Sequence, residues 1–360
     1  MSEASAQGEP APLLLAAFDK FRGTAAAREL DDAAAEAARR AGWSARLLPM
    51  ADGGEGLLDA VQGELRRAVV TGPLGRPVEA AYRLRTPPDA DGLVGVVEMA
   101  MASGLALAGG ADANDPEAAT TRGTGELVLA AARAGARRVI VGCGGSATTD
   151  GGLGAVEVLA GRTELEGVEL VVACDVTTGF VDAARVFGPQ KGADPAAVER
   201  LSARLERLGQ EYRARFGVDV TALPGAGAAG GLAGGLAALG GRLVSGFDLV
   251  ADLHGLDGAI DKASLVVTGE GRLDATSLVG KVVGGILERI GGRRPVLVVV
   301  GARGPGLDPS ALGKTVTVVV LSERFGTEAS LARPTALVGE VVADYLGACG
   351  SSGSPASSSA

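Results

Sequence analysis

The stretch LLLAAFDKFRGTAAARELDDAAAEAARRAG, Leu13–Gly42, decides the fold class. An apolar run of strand character ends at Asp19, a short loop with Gly23 follows, and an Ala/Leu/Arg segment with helical spacing closes the unit. The same grammar recurs along the chain. ARLLPM (Ala45–Met50), GVVEMA (Gly95–Ala100), RRVIVGC (Arg137–Cys143), LVVACD (Leu170–Asp175), SLVVTG (Ser264–Gly269), PVLVVVG (Pro295–Gly301) and VTVVVL (Val316–Leu321) all read as strands, several of them buried on both faces. Helical segments such as PAAVERLSARLERLGQEYRARFG (Pro195–Gly217) lie between them. Strands alternating with helices imply an α/β protein with parallel sheet. In the middle, AVVTGPLGRPVEAAYRLRT (Ala68–Thr86) reads instead as an antiparallel pair around the turn GPLGRP, which points to a second, mixed α+β domain.

Composition narrows the function. The 360 residues, 47% of them apolar, suffice for one large domain or two ordinary ones. A net charge of -9 argues against a nucleic-acid partner, because binding a phosphate backbone relies on Lys and Arg. Cys143, Cys174 and Cys349 are odd in number and widely spaced, which disfavours a disulfide framework or a zinc site and suits a reducing compartment. The first residues, MSEASAQGEPAP, lack the pattern of a signal peptide, and no run reaches the roughly 18 apolar residues of a membrane span. A soluble, cytoplasmic protein with no membrane partner is expected. Residues 1–10 and the small, polar tail at 347–360 are expected to be disordered.

The 57 glycines gather beside acids at the ends of strands. AAFDKFRGT carries Asp19, MADGGEG Asp52 and Glu55, GCGGSATTDGGLG Asp150, VVACDV Asp175, and VVTGEGRLD Glu270 and Asp274. Ligands of open α/β sheets bind outside the carboxyl ends of the strands, so five such ends converge on one crevice if their strands share an orientation. Glycine lets backbone approach a ligand closely, and N–H groups at helix starts hold anions. Carboxylates among them bind a divalent cation or accept a proton from a hydroxyl. Together they suit a phosphorylated substrate carrying Mg²⁺. For any one site the plainer reading is an Asp that caps a helix and a Gly that closes a turn. Other signatures fail. GAGAAG (Gly225–Gly230) has the spacing of a dinucleotide loop but follows the turn-like DVTALP, not a strand, and is read as a flexible or ligand-hugging loop. The single histidine, His254, and the lack of a G-x-S-x-G elbow leave no nucleophilic triad.

Taken together, DKFRGT, LLPMADGGEG, TGPLGRPV, VEMAMASGLAL, TTRGTGEL, GCGGSATTDGG, VVACDV, VFGPQKGA, LPGAGAAGGLAGGL and VTGEGRLDATSLVGK resemble, in family order from about residue 13 to 300, the bacterial-type glycerate kinases. The resemblance implies two domains: a Rossmann-like parallel α/β domain built from 11–64 and 254–346, and an inserted mixed domain at 65–253, with the active site in the cleft between. It implies ATP and Mg²⁺ as cofactors and D-glycerate as the small-molecule substrate, with 2-phosphoglycerate the favoured product.

On that footing Asp175, which ends a strongly apolar strand, is the expected proton acceptor. Arg22, Lys191 and Lys281 are expected to meet phosphate or the glycerate carboxylate, with Lys20 a weaker candidate; the chain has only five lysines. Asp19, Gly144, Gly145, Ser146, Thr148, Gly269 and Arg272 complete the expected binding set, and Asp52, Asp150, Glu270 and Asp274 are the metal candidates. The chain also departs from the family. TTGFVDAARVFGPQKGA (Thr177–Ala193) replaces the usual Asn-Pro-Leu word after CDV, the segment before VELVVACDV is short, and Arg122 stands where an aromatic or small residue is usual. These departures keep open a catalytically weakened relative with a binding or regulatory role and a kinase of another small hydroxy acid. A nicotinamide-linked oxidoreductase using GAGAAG is a more distant alternative.

Overall fold

A computed structural model describes residues 11–86, 92–278, 281–305 and 312–351. Residues 1–10 and 352–360 of the expected disordered ends lie outside them, but 347–351 do not: the helix Pro334–Ser351 runs through this part of the expected tail. The chain forms two compact units, one from the residues up to Met50 together with those from Ala251 onward, the other from Ala51–Val250. Residues 51–64 therefore pack with the second unit, not the first: Leu57 and Leu58 are buried, and the Leu58 N–H donates to Glu98 Oε2 at 3.2 Å.

In chain order the strands among the described residues are β1 (Leu13–Phe18), β2 (Ser44–Leu47), β3 (Glu64–Thr71), β4 (Pro77–Arg85), β5 (Leu93–Glu98), β6 (Ala136–Gly142), β7 (Glu169–Cys174), β8 (Arg242–Ser245), β9 (Leu265–Gly269), β10 (Arg272–Leu273), β11 (Val296–Val300), β12 (Ala302–Arg303) and β13 (Val316–Val320). The first unit holds a five-stranded sheet in the order β13-β11-β9-β1-β2, parallel throughout, with β10 and β12 as a small parallel ribbon. Central β9 and β11 are buried along their whole length, as continuous apolar runs in a covered parallel sheet should be. The second unit holds a six-stranded sheet, β3-β4-β5-β6-β7-β8. Its first three strands are antiparallel and β5 to β8 are parallel. The β3–β4 turn is the GPLGRP segment, where the Gly72 N–H donates to Arg76 O at 2.7 Å and Pro77 opens the next strand.

The helix Ala27–Arg40 lays Leu30, Ala34, Ala37 and Ala38 on the core of the first unit, beside Leu337, Val338, Val341 and Val342 of the C-terminal helix. Its buried face also holds Asp31, whose Oδ1 accepts the Phe18 N–H at 3.0 Å, and burial drives that carboxyl well above its ordinary range. In the second unit the helix Pro195–Phe216 is capped at both ends. Asp194 accepts the Ala197 N–H at 2.7 Å, and Gly217 takes φ 73° just past the last turn. Its Leu201, Leu205 and Tyr212 form a separate core with Phe180.

Where the loop after Met50 crosses the second unit, chain meets chain without side chains between. A Cβ on Gly246 would stand 1.9 Å from Asp52 O and 2.4 Å from the Gly53 Cα, and one on Gly144 would stand 2.6 Å from the Gly54 Cα. Gly258 is the contrast, because it lies in the helix Leu256–Lys262 with no atom within 4 Å of an added Cβ. Gly246→Ala is therefore expected to lower stability by about 1–3 kcal/mol or more. Gly258→Ala should raise it by about 0.5–1 kcal/mol, through the smaller entropy of the unfolded chain. Urea unfolding of the two variants beside wild type checks both signs.

Candidate active site

The strands that carry acids share a parallel orientation within each sheet, but there are two sheets, so the five ends do not belong to one crevice of one sheet. Asp19 and Glu270 follow adjacent strands β1 and β9 of the first unit, and the Asp19 N–H donates to Gly269 O at 2.9 Å. Asp150 and Asp175 follow β6 and β7, which are neighbours in the second unit. Asp52, which follows β2 in sequence, is grouped with the second unit.

In the first unit, Lys20 Nζ lies 3.9 Å from Asp19 Oδ1, which also accepts the Lys20 N–H at 2.8 Å. Arg22 is exposed on a turn closed by the Phe21–Ala25 bridge, and Gly271 lies against it, with an added Cβ 3.3 Å from the Arg22 nitrogen. Gly269 is buried at the end of β9, where a Cβ would stand 1.8 Å from Val299 O, while Arg272 is exposed. Glu270 is buried, and its Oε1 has no hydrogen-bond partner among the described residues. Burial, opposed by a hydrogen bond from Ser277 and reinforced by the negative charge of Asp19, pushes its carboxyl up to about 7. Asp274 and Lys281 also act on it electrostatically. The first unit thus gathers Asp19, Lys20, Arg22, Glu270, Arg272, Asp274 and Lys281 at the carboxyl ends of β1 and β9 and in the adjoining turns.

In the second unit the loop 144–154 follows β6. Gly144 and Gly145 pass against the 54–55 segment, and Ser146 pairs with Gly104 in an isolated bridge. Asp52 Oδ1 accepts the Gly54 N–H at 3.1 Å, a local turn of the kind a small acid favours. Asp175 is half-buried where β7 ends. Two candidates prove to be structural in their contacts. Asp150 takes four hydrogen bonds, from Thr121 N (2.8 Å), Thr121 Oγ1 (2.9 Å), Gly152 N (3.0 Å) and Gly154 N (3.2 Å), and so anchors the loop. Lys191 is only 2% exposed and its Nζ donates to Thr148 O at 2.7 Å; burial brings the amine down to about 7. Thr148 is itself fully buried and its Oγ1 donates to Ala229 O at 3.4 Å. Among the described residues no group of three or more His, Cys, Asp or Glu side chains is arranged to hold a metal ion.

Some of the remaining readings change as well. GAGAAG is a buried packing loop, not a flexible one: Ala229 has φ 54°, and a Cβ on Gly230 would stand 2.0 Å from Thr148 O. Arg122 faces outward, paired with Glu126 at 3.2 Å and Glu157 at 3.9 Å. His254 is a structural residue whose Nε2 donates to Pro49 O at 3.0 Å. Phe180, in the segment that departs from the family pattern, is buried against Gly151, Gly231 and Gly234. A groove lined by Leu159, Arg162, Glu166, Glu169 and Arg242 opens at the amino ends of β7 and β8, away from Asp175. Glu98, at the end of β5, had no role in the sequence reading although VEMA held it. The signal was available: a carboxylate closing an otherwise apolar strand.

Two outcomes follow from this geometry. Asp150→Asn leaves at least one of the Gly152 and Gly154 donors facing an amide and is expected to destabilise the protein by about 1–3 kcal/mol in urea unfolding. For Glu270, a folded value raised to about 7 from 4.5 means that the folded state holds the proton more tightly. Its stabilising contribution is full below about 4.5 and is lost as pH rises to about 7, on the order of 3 kcal/mol. Thermal unfolding from pH 4 to 8 should therefore show wild type losing stability relative to Glu270→Gln across that window and running parallel to it above.

The glycerate kinase family model matches residues 14–164 and 160–347. Glycerate 2-kinase of Escherichia coli K12 is 40% identical over 275 residues, 66% of this chain and 71% of that protein. Glycerate kinase of Bacillus subtilis 168 is 39% identical over 310 residues, 74% of this chain and 79% of that protein. A crystal structure from Salmonella typhimurium LT2, provisionally described as glycerate kinase 2, superposes with a TM-score of 0.79 at 32% identity, over 95% of this chain and 99% of that one. Two units of parallel and mixed sheet, acid-bearing strand ends in each, and relatives matched across both: the chain belongs to the glycerate kinase family.

Proposed function

We propose that the protein transfers the γ-phosphoryl group of ATP to a hydroxyl of D-glycerate, giving ADP and a phosphoglycerate, with 2-phosphoglycerate favoured. The observation that carries the reading is Asp175 at the carboxyl end of parallel strand β7, next to the strand that leads into the Ser146–Thr149 loop. The substrate hydroxyl attacks the γ-phosphorus, the bond to the bridging oxygen of ADP breaks, and the hydroxyl proton passes to Asp175. Ser146 and the backbone of Gly144 and Gly145 serve the anionic end of glycerate. In the first unit, Lys20, Arg22, Arg272 and Lys281 supply positive charge for the nucleotide phosphates, with Asp19 and Gly269 shaping the strand ends.

Mg²⁺ would neutralise charge on the nucleotide phosphates, and one or two carboxylates would suffice to hold it there. Glu270 fits that role, since its buried Oε1 has no protein partner among the described residues, and Asp274 and Asp52 are the further candidates. Preference for the 2-position is supported by the Escherichia coli relative, a glycerate 2-kinase. A second reading, a different small hydroxy acid as acceptor or a weakened enzyme, is favoured by the rebuilt segment after Asp175, where Phe180 fills the space beneath the loop. A cytoplasmic location is part of the proposal; among the described residues no helix is long and apolar enough to cross a membrane.

ADP release assayed with D-glycerate, L-glycerate or no acceptor, in Mg²⁺ and in EDTA, tests the reading. The expected outcome is turnover that needs D-glycerate and Mg²⁺ and falls by about 10²–10⁴-fold in Asp175→Asn. Product that enolase consumes directly identifies the 2-phosphate. A folded wild-type protein that releases no ADP with D-glycerate sinks the proposal.

A further inference from the structure

The second unit's sheet ends at β3, and the pairing of β3 with β4 fixes which of its backbone groups look outward. The Gly72 N–H donates to Arg76 O, so 72:76 is a hydrogen-bonded pair, and by alternation along the register 70:78, 68:80 and 66:82 are hydrogen-bonded too. The odd-numbered residues therefore turn their N–H and C=O groups away from β4. Two observations agree: Pro77, which has no N–H, stands opposite Thr71, and the Thr71 N–H goes outward to Glu126 Oε2 at 2.7 Å. Together with Gly123, where a Cβ would stand 1.9 Å from Thr71 O, Glu126 covers the strand at that end. Among the described residues no element pairs with the outward groups of Leu65, Arg67 and Val69.

The side chains of these three share one face, opposite the face on which Val70 joins the core. Val69 is 74% exposed and Leu65 45%. An exposed apolar edge strand is a template for another strand, and charge on the edge is the usual protection against it. Here the charges cancel. Arg67 is paired with Glu79 at 2.8 Å and Arg66 with Glu64 at 2.9 Å, so the edge is neutral on a chain of net charge -9.

We infer that β3 pairs antiparallel with β3 of a second copy of this chain, about a two-fold axis through Arg67, which joins two six-stranded sheets into one. Outward groups meet outward groups only if the axis passes through an odd-numbered residue. An axis at Val69 sets Arg67 against Thr71, whose N–H is already taken. One at Leu65 sets Val69 against Val61, which lies outside the strand. The axis at Arg67 brings Leu65 opposite Val69 of the second copy, and Val69 opposite its Leu65, so the exposed apolar pair covers itself twice. Arg67 meets its own copy across the axis, each held by its Glu79. The strand is thus self-complementary in hydrogen bonds, apolar surface and charge, which selects a second copy as the occupant.

The inference is independent of the reaction proposed above. Sedimentation equilibrium of the full chain from about 1 to 200 µM is the first measurement, with a dimer of micromolar dissociation constant expected, as for a small interface. Arg67→Pro removes an outward N–H and no bond to β4, so it should stay folded in thermal unfolding and weaken the dimer at least about tenfold. Val69→Lys should weaken it similarly with the backbone unaltered. Arg67→Cys reads the register: opposed Cα atoms of a hydrogen-bonded pair lie about 5.5 Å apart, within disulfide reach, so mild oxidation should link this variant into covalent dimers. Leu65→Cys and Val69→Cys should each link poorly alone and well when mixed. A monomer throughout the range overturns the inference. So does a dimer that both folded variants retain, or an Arg67→Cys variant that links no better than wild type with its native cysteines.

Discussion

At Gly246 a single methyl group would stand 1.9 Å from Asp52 O, and the rest of the second unit's upper loops depends on that contact being bare backbone. The 51–56 loop rests on Gly246 from one side and on Gly142 and Gly144 from the other, so three chain segments are stacked with nothing but peptide between them. Packing this close fixes where Asp52 and the start of the 144–154 loop lie relative to β6 and β7. It also explains Gly53 of MADGGEG better than ligand approach alone does: a Cβ there would stand 2.5 Å from the Gly246 Cα.

Much of the architecture was legible because buried parallel strands are short, apolar and repetitive. LLLAAF, LVVACD and PVLVVVG each form the strand expected, and the GPLGRP turn sets the antiparallel pair apart. What was not legible is how strands are shared between sheets. Asp19, Glu270, Asp150 and Asp175 follow strands of identical character, yet the first two and the last two belong to different sheets, and no local pattern distinguishes them. The same limit applies to the boundary near residue 50, since Ala51 to Glu64 is assigned by what it packs on and not by its composition.

The candidate site was legible by residue type and less so by role. Asp150 and Lys191 were singled out as a charge for metal and a charge for phosphate, and both are bonded into the fold. A buried charge without partners is too costly to keep, so its surroundings supply them; from sequence, a carboxylate that binds N–H groups and one that binds a cation look alike. Asn114 and Glu98 went without a role for the opposite reason. Each acts through backbone atoms of a distant segment, 33 and 77 residues away for the two bonds of Asn114, to Ala147 O and Lys191 O, and 40 for that of Glu98, and backbone leaves no mark in the pattern of side chains.

The division of the first unit between both ends of the chain sets an order on its making. Thr268 Oγ1 donates to Ala17 O across 251 residues of sequence, and β1 lies between β2 and β9 in the finished sheet. A ribosome adding roughly 5–20 residues per second needs about 12–50 s to bridge that distance. For that time β1 has only β2 beside it, while the whole of Ala51–Val250 has already emerged and can close its own sheet. The apolar run LLLAAF thus keeps an open edge through that part of synthesis, a stretch for which the cover of a chaperone would matter.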